Sequence, residues 1–506
     1  MPSRRSAWTW TTPTNPVPTT PARSEGEGLE VTPRTLLRMP TPDSGSPPTG
    51  SFDAAAWQER LTELMRRHRV PGATLGLLHD ETITETGAGV LSTATGVEVT
   101  PESLFQIGSI TKVWTATLVM QLVDEGALDL DAPVVDVLPG FRVADPVVTE
   151  QVTTRHLLTH TSGIDGDVFT DTGRGDECIE RYVAGMEDVV QNHPLGATFS
   201  YCNAGYVVAG RIVEQLTGLT WDGALRERVI EPLGLEGTVT LPEEALLHRT
   251  AVGHVHEPGE EPVPATTWTL ARSMGPAGLI TARVGDVLAF ARMHVSGGLA
   301  PDGTQVLSAA SAGSMAEKHA DLPDTRTLGD SWGLGWIRYG WDGERLIGHD
   351  GNTIGQSAFL SVLPSHGLAV SLLTNGGCAR DLYHDLWSEI FLETVGVRMP
   401  PPLEPPASLP EFEPARYVGR YERSGITTEV MEQDGGLTLR ATVTGPLAEL
   451  VPKPVHEYPL VPVEHDVFAL KDPAETTWTA VTFYELAGGA RYVHYGARAN
   501  PLVERG

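Results

Sequence analysis

Residues 110–126 read ITKVWTATLVMQLVDEG, a helix-length segment that is apolar on nearly every side. A helix without a polar face must lie at the centre of a domain, with other elements packed around it. Gly126 is a suitable residue for its C-terminal end. The segment contains a single cation, Lys112, although the chain has lysine only at positions 112, 318, 453 and 471. A lysine inside an apolar helix of so lysine-poor a chain indicates a specific role.

Ser109 stands three residues before Lys112, where the helix is predicted to begin. Side chains at i and i+3 share a helix face, with about 5–6 Å between their Cβ atoms. A serine in the first turn also has unpaired backbone N–H groups beside it, which can stabilise an oxyanion. Burial lowers the pKa of a lysine, and the neutral amine can act as a base. The spacing predicts a nucleophile and its base. The alternative is a capping serine followed by a lysine that extends to solvent.

Tyr201 and Asn203 immediately precede a second predicted helix, over 204–218. A tyrosine beside a lysine can relay a proton between a nucleophile and a leaving group. Asn203 can donate to a substrate amide and accept from Lys112. The alternative is a packed tyrosine ring and an asparagine that caps the helix. Cys202, between them, is predicted to be buried without a role.

His349 and Gly351 belong to the sequence RLIGHDG, which comes before two apolar strands. Gly351 would let a substrate approach the backbone closely. Taken alone, an ordinary histidine in a loop is the favoured interpretation. His160 is predicted to hold a loop by hydrogen bonds. His254 and His256 have no evident acidic or cysteine partner, so no metal site is expected there.

The elements predicted near the two ends of residues 51–395 indicate that one sheet is assembled from both ends of this main domain. An acidic residue, Asp53, caps the first helix. The strands follow from short apolar runs bounded by turn residues. The elements are a helix at 55–68, strands at 73–80, 82–90, 357–364 and 368–375, and a helix at 383–395.

Composition divides the chain into four parts. Residues 1–50 are rich in Pro, Thr and Ser and are predicted to be disordered, and residues 51–395 form the main domain. Residues 396–414 are a stiff proline-rich linker. Residues 415–506 are predicted to be a small antiparallel β domain, a barrel, with a hairpin at Asp434-Gly435. This boundary predicts that a fragment of about residues 50–400 folds and works alone.

Charge and cysteine content exclude several classes of protein. The 36 Lys and Arg against 65 Asp and Glu give a formal net charge of -29, which disfavours nucleic-acid binding. No apolar signal core and no membrane span occur, so the expected location is the cytoplasm, without membrane partners; secretion stays open if translation starts elsewhere. Cys178, Cys202 and Cys378 are too few for a disulfide framework and lack metal-ligand spacing. Neither a cofactor nor a metal is expected.

Together, Ser109–Lys112, Tyr201–Asn203 and His349–Gly351 resemble, in this order, the three motifs of the serine β-lactamase and penicillin-binding protein superfamily. The likeness is to its class C-like branch of esterases, D-amino-acid peptidases and β-lactamase-related hydrolases. It extends over most of residues 55–395 and includes the segments 157–164, 199–218, 276–293, 332–336 and 348–375.

The resemblance implies an α/β (α+β) fold, with an antiparallel sheet flanked by helices and an all-helical subdomain. It also implies a C-terminal antiparallel β-barrel of lipocalin-like type at 415–506. By resemblance, Ser109 is the acylated nucleophile, Lys112 its general base and Tyr201 the proton relay. Asn203 would orient lysine and substrate, and His349 would take the third-motif position often held by lysine. The oxyanion would lie between the backbone N–H groups of Ser109 and Asn352.

The main functional hypothesis is a serine hydrolase whose substrate is a small ester, amide or β-lactam. Alternatives are an acyl transferase or peptide cyclase of the penicillin-binding-protein type, a D-Ala-D-Ala carboxypeptidase or a class C-type β-lactamase; a non-catalytic scaffold is least favoured. An ordinary histidine pKa of about 6.5 leaves His349 mostly neutral at pH 7, and Asp350 adds a negative charge. Neutral esters are therefore predicted to be better substrates than penicillins, and β-lactam turnover is predicted to improve toward pH 6.

Overall fold

The structure is a computed structural model that describes residues 53–256, 259–444, 448, 453–473 and 476–505. The segment 1–50, predicted to be disordered, lies outside the described residues. None of the helices in the described ranges is long and apolar enough to cross a membrane. The helices are α1 Ala54–Arg67, α2 Thr111–Asp124, α3 Val134–Val137, α4 Pro146–Gln151, α5 Thr154–Leu158, α6 Cys178–Ala184, α7 Asn203–Thr217, α8 Trp221–Leu225, α9 Glu231–Leu233, α10 Pro242–Ala245, α11 Gly275–Gly278, α12 Val284–Val295, α13 Ala309–Ala316 and α14 Ala379–Val395.

The strands of the main domain form one large sheet and two small ones. They are β1 Gly72–His79, β2 Thr82–Gly89, β3 Phe105–Gln106, β4 Thr238–Val239, β5 His254–Val255, β6 Val263–Pro264, β7 Thr281–Ala282, β8 Ala320–Asp321, β9 Ser331–Trp332, β10 Ile337–Trp341, β11 Glu344–Thr353, β12 Gln356–Leu363 and β13 Leu368–Thr374. The large sheet has the order β2-β1-β13-β12-β11-β10-β9-β8, and its neighbouring strands are antiparallel.

The large sheet is covered on both faces, and alternate residues of a strand therefore enter different cores. In β13, Leu368, Val370 and Leu372 pack into the cluster formed with α1 and α14. Ala369 and Leu373 pack into the other cluster, formed with α2, α7 and α12. Since β1 pairs directly with β13, the sheet joins the two ends of the domain, as predicted.

Helix α2 lies inside the second cluster, which confirms the predicted central helix. Its Trp114 is fully buried and stacks on Phe290 of α12 with 3.9 Å between the ring centroids. Full burial of one large apolar side chain contributes about 1.5–3 kcal/mol to folding. The helix ends before Gly126, which has the left-handed φ of 69°. The elements around α2 thus determine where its first turn points.

Residues after the linker form a closed antiparallel barrel, which confirms the predicted β domain. Tyr421, Phe468 and Phe483 fill its interior. Its strands, in order around the barrel, are β14 Gly419–Arg423, β15 Ile426–Gln433, β16 Gly436–Val443, β17 Val455–Glu464, β18 Val467–Leu470, β19 Thr479–Glu485, β20 Arg491–Tyr495 and β21 Arg498–Arg505.

The predicted fold class is confirmed, but sequence patterns missed the strands β8–β11 of the large sheet. Strands β8 and β9 have two residues each, which is too short for a visible alternation. Strand β11 contains Gly348 and Gly351, which reduce its apparent strand propensity. His349 is consequently on a sheet strand, whereas the sequence placed it in a loop.

Candidate active site

Ser109 lies in a 3-10 turn, Gly108–Ile110, that leads directly into α2. Gly108 has a left-handed φ of 49°, and a Cβ at that position would lie 2.6 Å from the Asn352 backbone nitrogen. Glycine is therefore required there by conformation and by space. The side chain of Ser109 is half-buried, so it remains accessible.

Lys112 is fully buried one turn further along. Its Nζ donates to Ser109 Oγ over 3.0 Å and to the Ala277 carbonyl oxygen over 2.6 Å. Burial lowers the pKa of Lys112 well below 10.5, and the positive charge of Arg498 lowers it further. A neutral amine in this position keeps one N–H for Ala277 and offers its lone pair to the Ser109 hydroxyl proton.

Tyr201 brings the second predicted motif to the same place. Lys112 Nζ lies 4.9 Å from the centroid of the Tyr201 ring, which stacks on His160 with 4.3 Å between the ring centroids. Burial raises the pKa of Tyr201, while its contact with Ser109 opposes that rise. Among the described residues, its hydroxyl has no hydrogen bond of regular geometry. The Tyr201 hydroxyl therefore keeps its proton at neutral pH, and this proton has no regular hydrogen-bond acceptor among the described residues.

Asn203 and Cys202 differ from what the sequence suggested. Asn203 is the first residue of α7 and donates from Nδ2 to Asp167 Oδ1 over 3.2 Å. Cys202, predicted to be without a role, caps this helix: its Sγ accepts from the Gly205 N–H at 3.2 Å. His160 Nδ1 accepts from the Cys202 N–H at 2.9 Å, so His160 holds this segment, as predicted.

The third predicted motif lies on β11, next to the turn that contains Ser109. His349 is buried, and its Nδ1 lies 2.6 Å from the Asp350 carbonyl oxygen. A Cβ at Gly351 would overlap the Ile107 carbonyl oxygen and lie 2.9 Å from the Ser109 nitrogen. The free space at Gly351 is thus used by the nucleophile turn, whereas the sequence assigned it to substrate. This packing places the backbone nitrogens of Ser109 and Asn352 on adjacent segments.

Asp350 points to the opposite face of the sheet, because side chains alternate along β11. Its carboxylate pairs with Arg380 of α14 at 2.6 Å. Arg380 in turn covers the ring of Phe359 at 4.8 Å. The expected negative charge of Asp350 beside the substrate is therefore absent from the site; it is neutralised on the other side of the sheet.

Asp167 and two arginines of the barrel also reach the site, and sequence reasoning missed all three. Asp167 Oδ1 accepts from Arg498 Nη2 at 2.8 Å, and its Oδ2 accepts from Arg423 Nη1 at 2.5 Å. Burial opposes ionisation of Asp167, but the two guanidinium groups outweigh it and lower the pKa to about 2. Positions separated by 256 and 331 residues carry no local signal of such a contact.

The backbone of the barrel contacts the second motif as well. The Tyr201 N–H donates to the Ala497 carbonyl oxygen over 3.0 Å, and the Ala499 N–H donates to Ser200 Oγ over 3.2 Å. Ala497 packs in one apolar cluster with Phe199 and Tyr201. The sequence-based expectation that a fragment of residues 50–400 works alone is at odds with this interface, and we expect such a fragment to be impaired.

Other residues that chemistry might involve have structural contacts. His254 Nδ1 lies 2.8 Å from the Asn375 carbonyl oxygen, and its Nε2 accepts from the Thr93 N–H at 3.1 Å. Trp332 is fully buried and donates from Nε1 to the Leu158 carbonyl oxygen over 3.2 Å. Within the described ranges, no group of three or more His, Cys, Asp or Glu is arranged to hold a metal ion.

The position of His349 changes the expected dependence of activity on pH. Burial and the charge of Lys112 lower the pKa of His349 to about 3, so it stays neutral throughout the usual range. We therefore expect, contrary to the sequence-based prediction, that protonation of His349 does not improve turnover toward pH 6. We expect kcat/KM to rise with pH along one limb, as Lys112 loses its proton, and to level off below pH 10.5. Profiles of the wild type and His349→Gln from pH 4 to 10 should show the same limb. A step near pH 6.5 that the substitution removes would contradict this.

Three comparisons show which known proteins this chain is similar to. The family model described as Beta-lactamase matches residues 57–387. Penicillin-binding protein 4 of Amycolatopsis lactamdurans is 51% identical over 376 residues, which are 74% of this chain and 99% of that protein. The crystal structure of SurE has a TM-score of 0.72 and 29% identity, covering 89% of this chain and 99% of that one. The D-amino acid amidase from Ochrobactrum anthropi SV3, complexed with L-phenylalanine amide, has a TM-score of 0.54 and 26% identity. The match covers 64% of this chain and 91% of that one.

Proposed function

Since the chain belongs to the beta-lactamase family and is a serine hydrolase, we propose that it cleaves small esters and amides through an acyl-enzyme on Ser109. The observation that carries this proposal is the pairing of Ser109 Oγ with a fully buried Lys112 Nζ at 3.0 Å. Burial keeps the lysine available as a neutral base, whereas a solvated lysine would be protonated at neutral pH.

In the acylation step, Ser109 Oγ attacks the substrate carbonyl carbon and transfers its proton to Lys112 Nζ. The carbonyl electrons form an oxyanion, for which the backbone N–H groups of Ser109 and Asn352 are the proposed donors. Collapse of this intermediate breaks the bond to the leaving group, which receives a proton relayed through Tyr201 from Lys112. Water then hydrolyses the acyl-enzyme by the reverse sequence of proton transfers.

The remaining proposed site residues bind the substrate or orient the groups that react. His349 is neutral, so it contributes shape and a hydrogen-bonding ring rather than charge. Asn203 has its amide nitrogen directed at Asp167, which leaves its carbonyl oxygen to accept from a substrate N–H or from Lys112. Gly351 has no side chain, and the backbone of the turn that contains Ser109 packs directly against it.

We expect neutral esters and amides to be cleaved with higher kcat/KM than penicillins or cephalosporins. A β-lactam carboxylate favours a cation near the third motif, but His349 is neutral and the charge of Arg498 is engaged by Asp167. The measurement compares p-nitrophenyl butyrate with nitrocefin and, among amides, D- with L-phenylalanine amide. A kcat/KM for nitrocefin well above that for the ester would move the protein to the β-lactamases.

Acyl transfer is the second candidate. The observation that supports it is that SurE was also solved with D-Leu, an amino acid whose amine can take up an acyl group; that structure is similar to this chain at a TM-score of 0.70 over 89% of the chain. An amine that replaces water at the acyl-enzyme gives an amide instead of an acid. Mass spectrometry of the products with D-leucine added separates the two reactions, since only transfer yields the D-leucine adduct.

A labelling experiment tests the nucleophile itself. A fluorophosphonate should label Ser109 covalently, and peptide mass spectrometry should find the adduct on residues 108–112. Labelling of a different serine, with Ser109 unmodified, would contradict the proposal.

A further inference from the structure

Asp167 connects the barrel to the proposed active site through three charged or polar contacts. Its carboxylate accepts hydrogen bonds from Arg498 and Arg423 of the barrel and from the Asn203 side chain of α7, with donor–acceptor distances of 2.8, 2.5 and 3.2 Å. Only 7% of its side chain is exposed, and those of Arg423 and Arg498 are 11% and 20% exposed. Charged hydrogen bonds of this kind are stronger and more directional than neutral ones.

The charge of Asp167 determines how the Asn203 amide is oriented. An ionised carboxylate only accepts hydrogen bonds, so Asn203 must present its NH2 group to Asp167. Its carbonyl oxygen is then directed away from Asp167. A neutral amide at position 167 would accept or donate equally well, and the orientation of Asn203 would no longer be unique.

Arg498 acts on the other residue of the second motif. Its guanidinium lies 5.2 Å from the centroid of the Tyr201 ring while it holds Asp167. The adjacent residue, Ala497, accepts the hydrogen bond of the Tyr201 backbone. The barrel segment Ala497–Arg498 thus contacts Tyr201 twice: the Arg498 side chain lies over its ring, and the Ala497 main chain binds its backbone N–H.

We propose that Asp167, held by Arg423 and Arg498, is a positioning residue that makes the docked barrel a working part of the active site. Asp167 orients Asn203, and Arg498 supports Tyr201. The inference rests on the proposed function, since it assigns Asn203 and Tyr201 to the reaction. We call Asp167, Arg423 and Arg498 the clamp. In the described structure the Asp167 carboxylate bonds with both arginines and with Asn203, whereas Ser109 Oγ bonds with Lys112, so we infer that the clamp acts through the second motif.

The test measures kcat and KM of the full chain carrying Asp167→Asn, Arg423→Gln or Arg498→Gln, with thermal melting as the check on folding. We expect kcat for the ester to fall by about 10²-fold in Asp167→Asn, because small displacements of catalytic groups cost that much, with a smaller change in KM. The matched control is Arg326→Gln, which breaks an exposed ion pair with Glu464 at 2.7 Å across the same interface. The control should keep the wild-type kcat.

The pH profile separates positioning from general loosening. Arg498 lowers and Asp167 raises the pKa of Lys112. The other titratable groups that interact with Lys112 are His160, His349, Cys202, Tyr201 and Tyr206. Burial lowers the pKa of the two histidines and raises that of the cysteine and the two tyrosines, so each is held toward its neutral form. Arg498→Gln should therefore move the limb of kcat/KM to higher pH, and Asp167→Asn should move it to lower pH.

If the substitutions merely loosened the interface, water would reach Lys112 and the kcat/KM limb of both variants, Asp167→Asn included, would move to higher pH. That result would overturn the proposal. So would a folded Asp167→Asn protein with wild-type kcat, or a control variant that loses as much activity. If Asp167→Asn does not fold, the kinetics of Arg498→Gln decide: a lowered kcat with unchanged KM and an unchanged melting temperature supports the proposal, and a folded protein with wild-type kcat overturns it. Failure of the proposed function has a different signature, namely turnover that persists in Ser109→Ala whatever the clamp variants do.

Discussion

Ser109→Ala is expected to lower kcat on the order of 10⁶-fold, which is the loss seen when a member of a catalytic unit is removed. The physical reason is that no other described atom at this position offers a nucleophile to Lys112. The protein should keep its fold, because the serine is half-buried and Lys112 retains its 2.6 Å hydrogen bond to Ala277. Steady-state hydrolysis of p-nitrophenyl butyrate measures the loss, and loss of fluorophosphonate labelling accompanies it.

Ser365→Ala is the matched control for that experiment. Ser365 is exposed in the 3-10 turn Pro364–His366, where its hydroxyl donates to Glu344 over 2.7 Å. The control should keep the wild-type kcat and labelling. Full activity in Ser109→Ala would refute the assignment of the nucleophile.

Lys112→Met and Lys112→Arg are both expected to lose activity to a degree comparable with Ser109→Ala. Methionine removes the base, and arginine keeps the charge but cannot give up its proton under these conditions. The Ser109→Ala/Lys112→Met double variant should be no worse than either single variant, because residues that act as one unit are not additive. Kinetics of the three proteins measure this.

Thermal melting distinguishes this loss from unfolding. Lys112 is fully buried in an apolar helix, so exchanging its amine for a thioether removes a desolvation cost. We expect Lys112→Met to melt at or above the wild-type temperature, as is common when active-site strain is relieved. Substantial turnover by Lys112→Arg would show that the base is another group.

Local patterns predicted the motif residues because their chemistry is local. The i, i+3 spacing of Ser109 and Lys112 places both on one side of a helix start, whatever surrounds them. The apolar character of α2 required a central position, and the short apolar runs near both ends of the domain indicated one sheet assembled from both ends. The order of the three motifs then indicated the superfamily. For these features the sequence was sufficient.

Predictions about charge and contact failed where they depended on which face a side chain occupies. Asp350 follows His349 in sequence, yet the pleat of β11 sends it to Arg380 on the other face of the sheet. Gly351 was assigned to substrate, whereas its space is occupied by the nucleophile turn. His349 was given an ordinary pKa because burial is not visible in a sequence.

The sequence by itself determined the fold class, the central helix that follows Ser109 and the superfamily indicated by the three motifs. Only the tertiary structure decided that Asp167, Arg423 and Arg498 join them, since these residues meet through the docking of a barrel hundreds of positions later. Helix periodicity and turn chemistry act between neighbours in sequence, and the chain therefore records them locally. Long-range electrostatic contacts depend on the three-dimensional placement of whole elements, and no spacing along the chain encodes that placement.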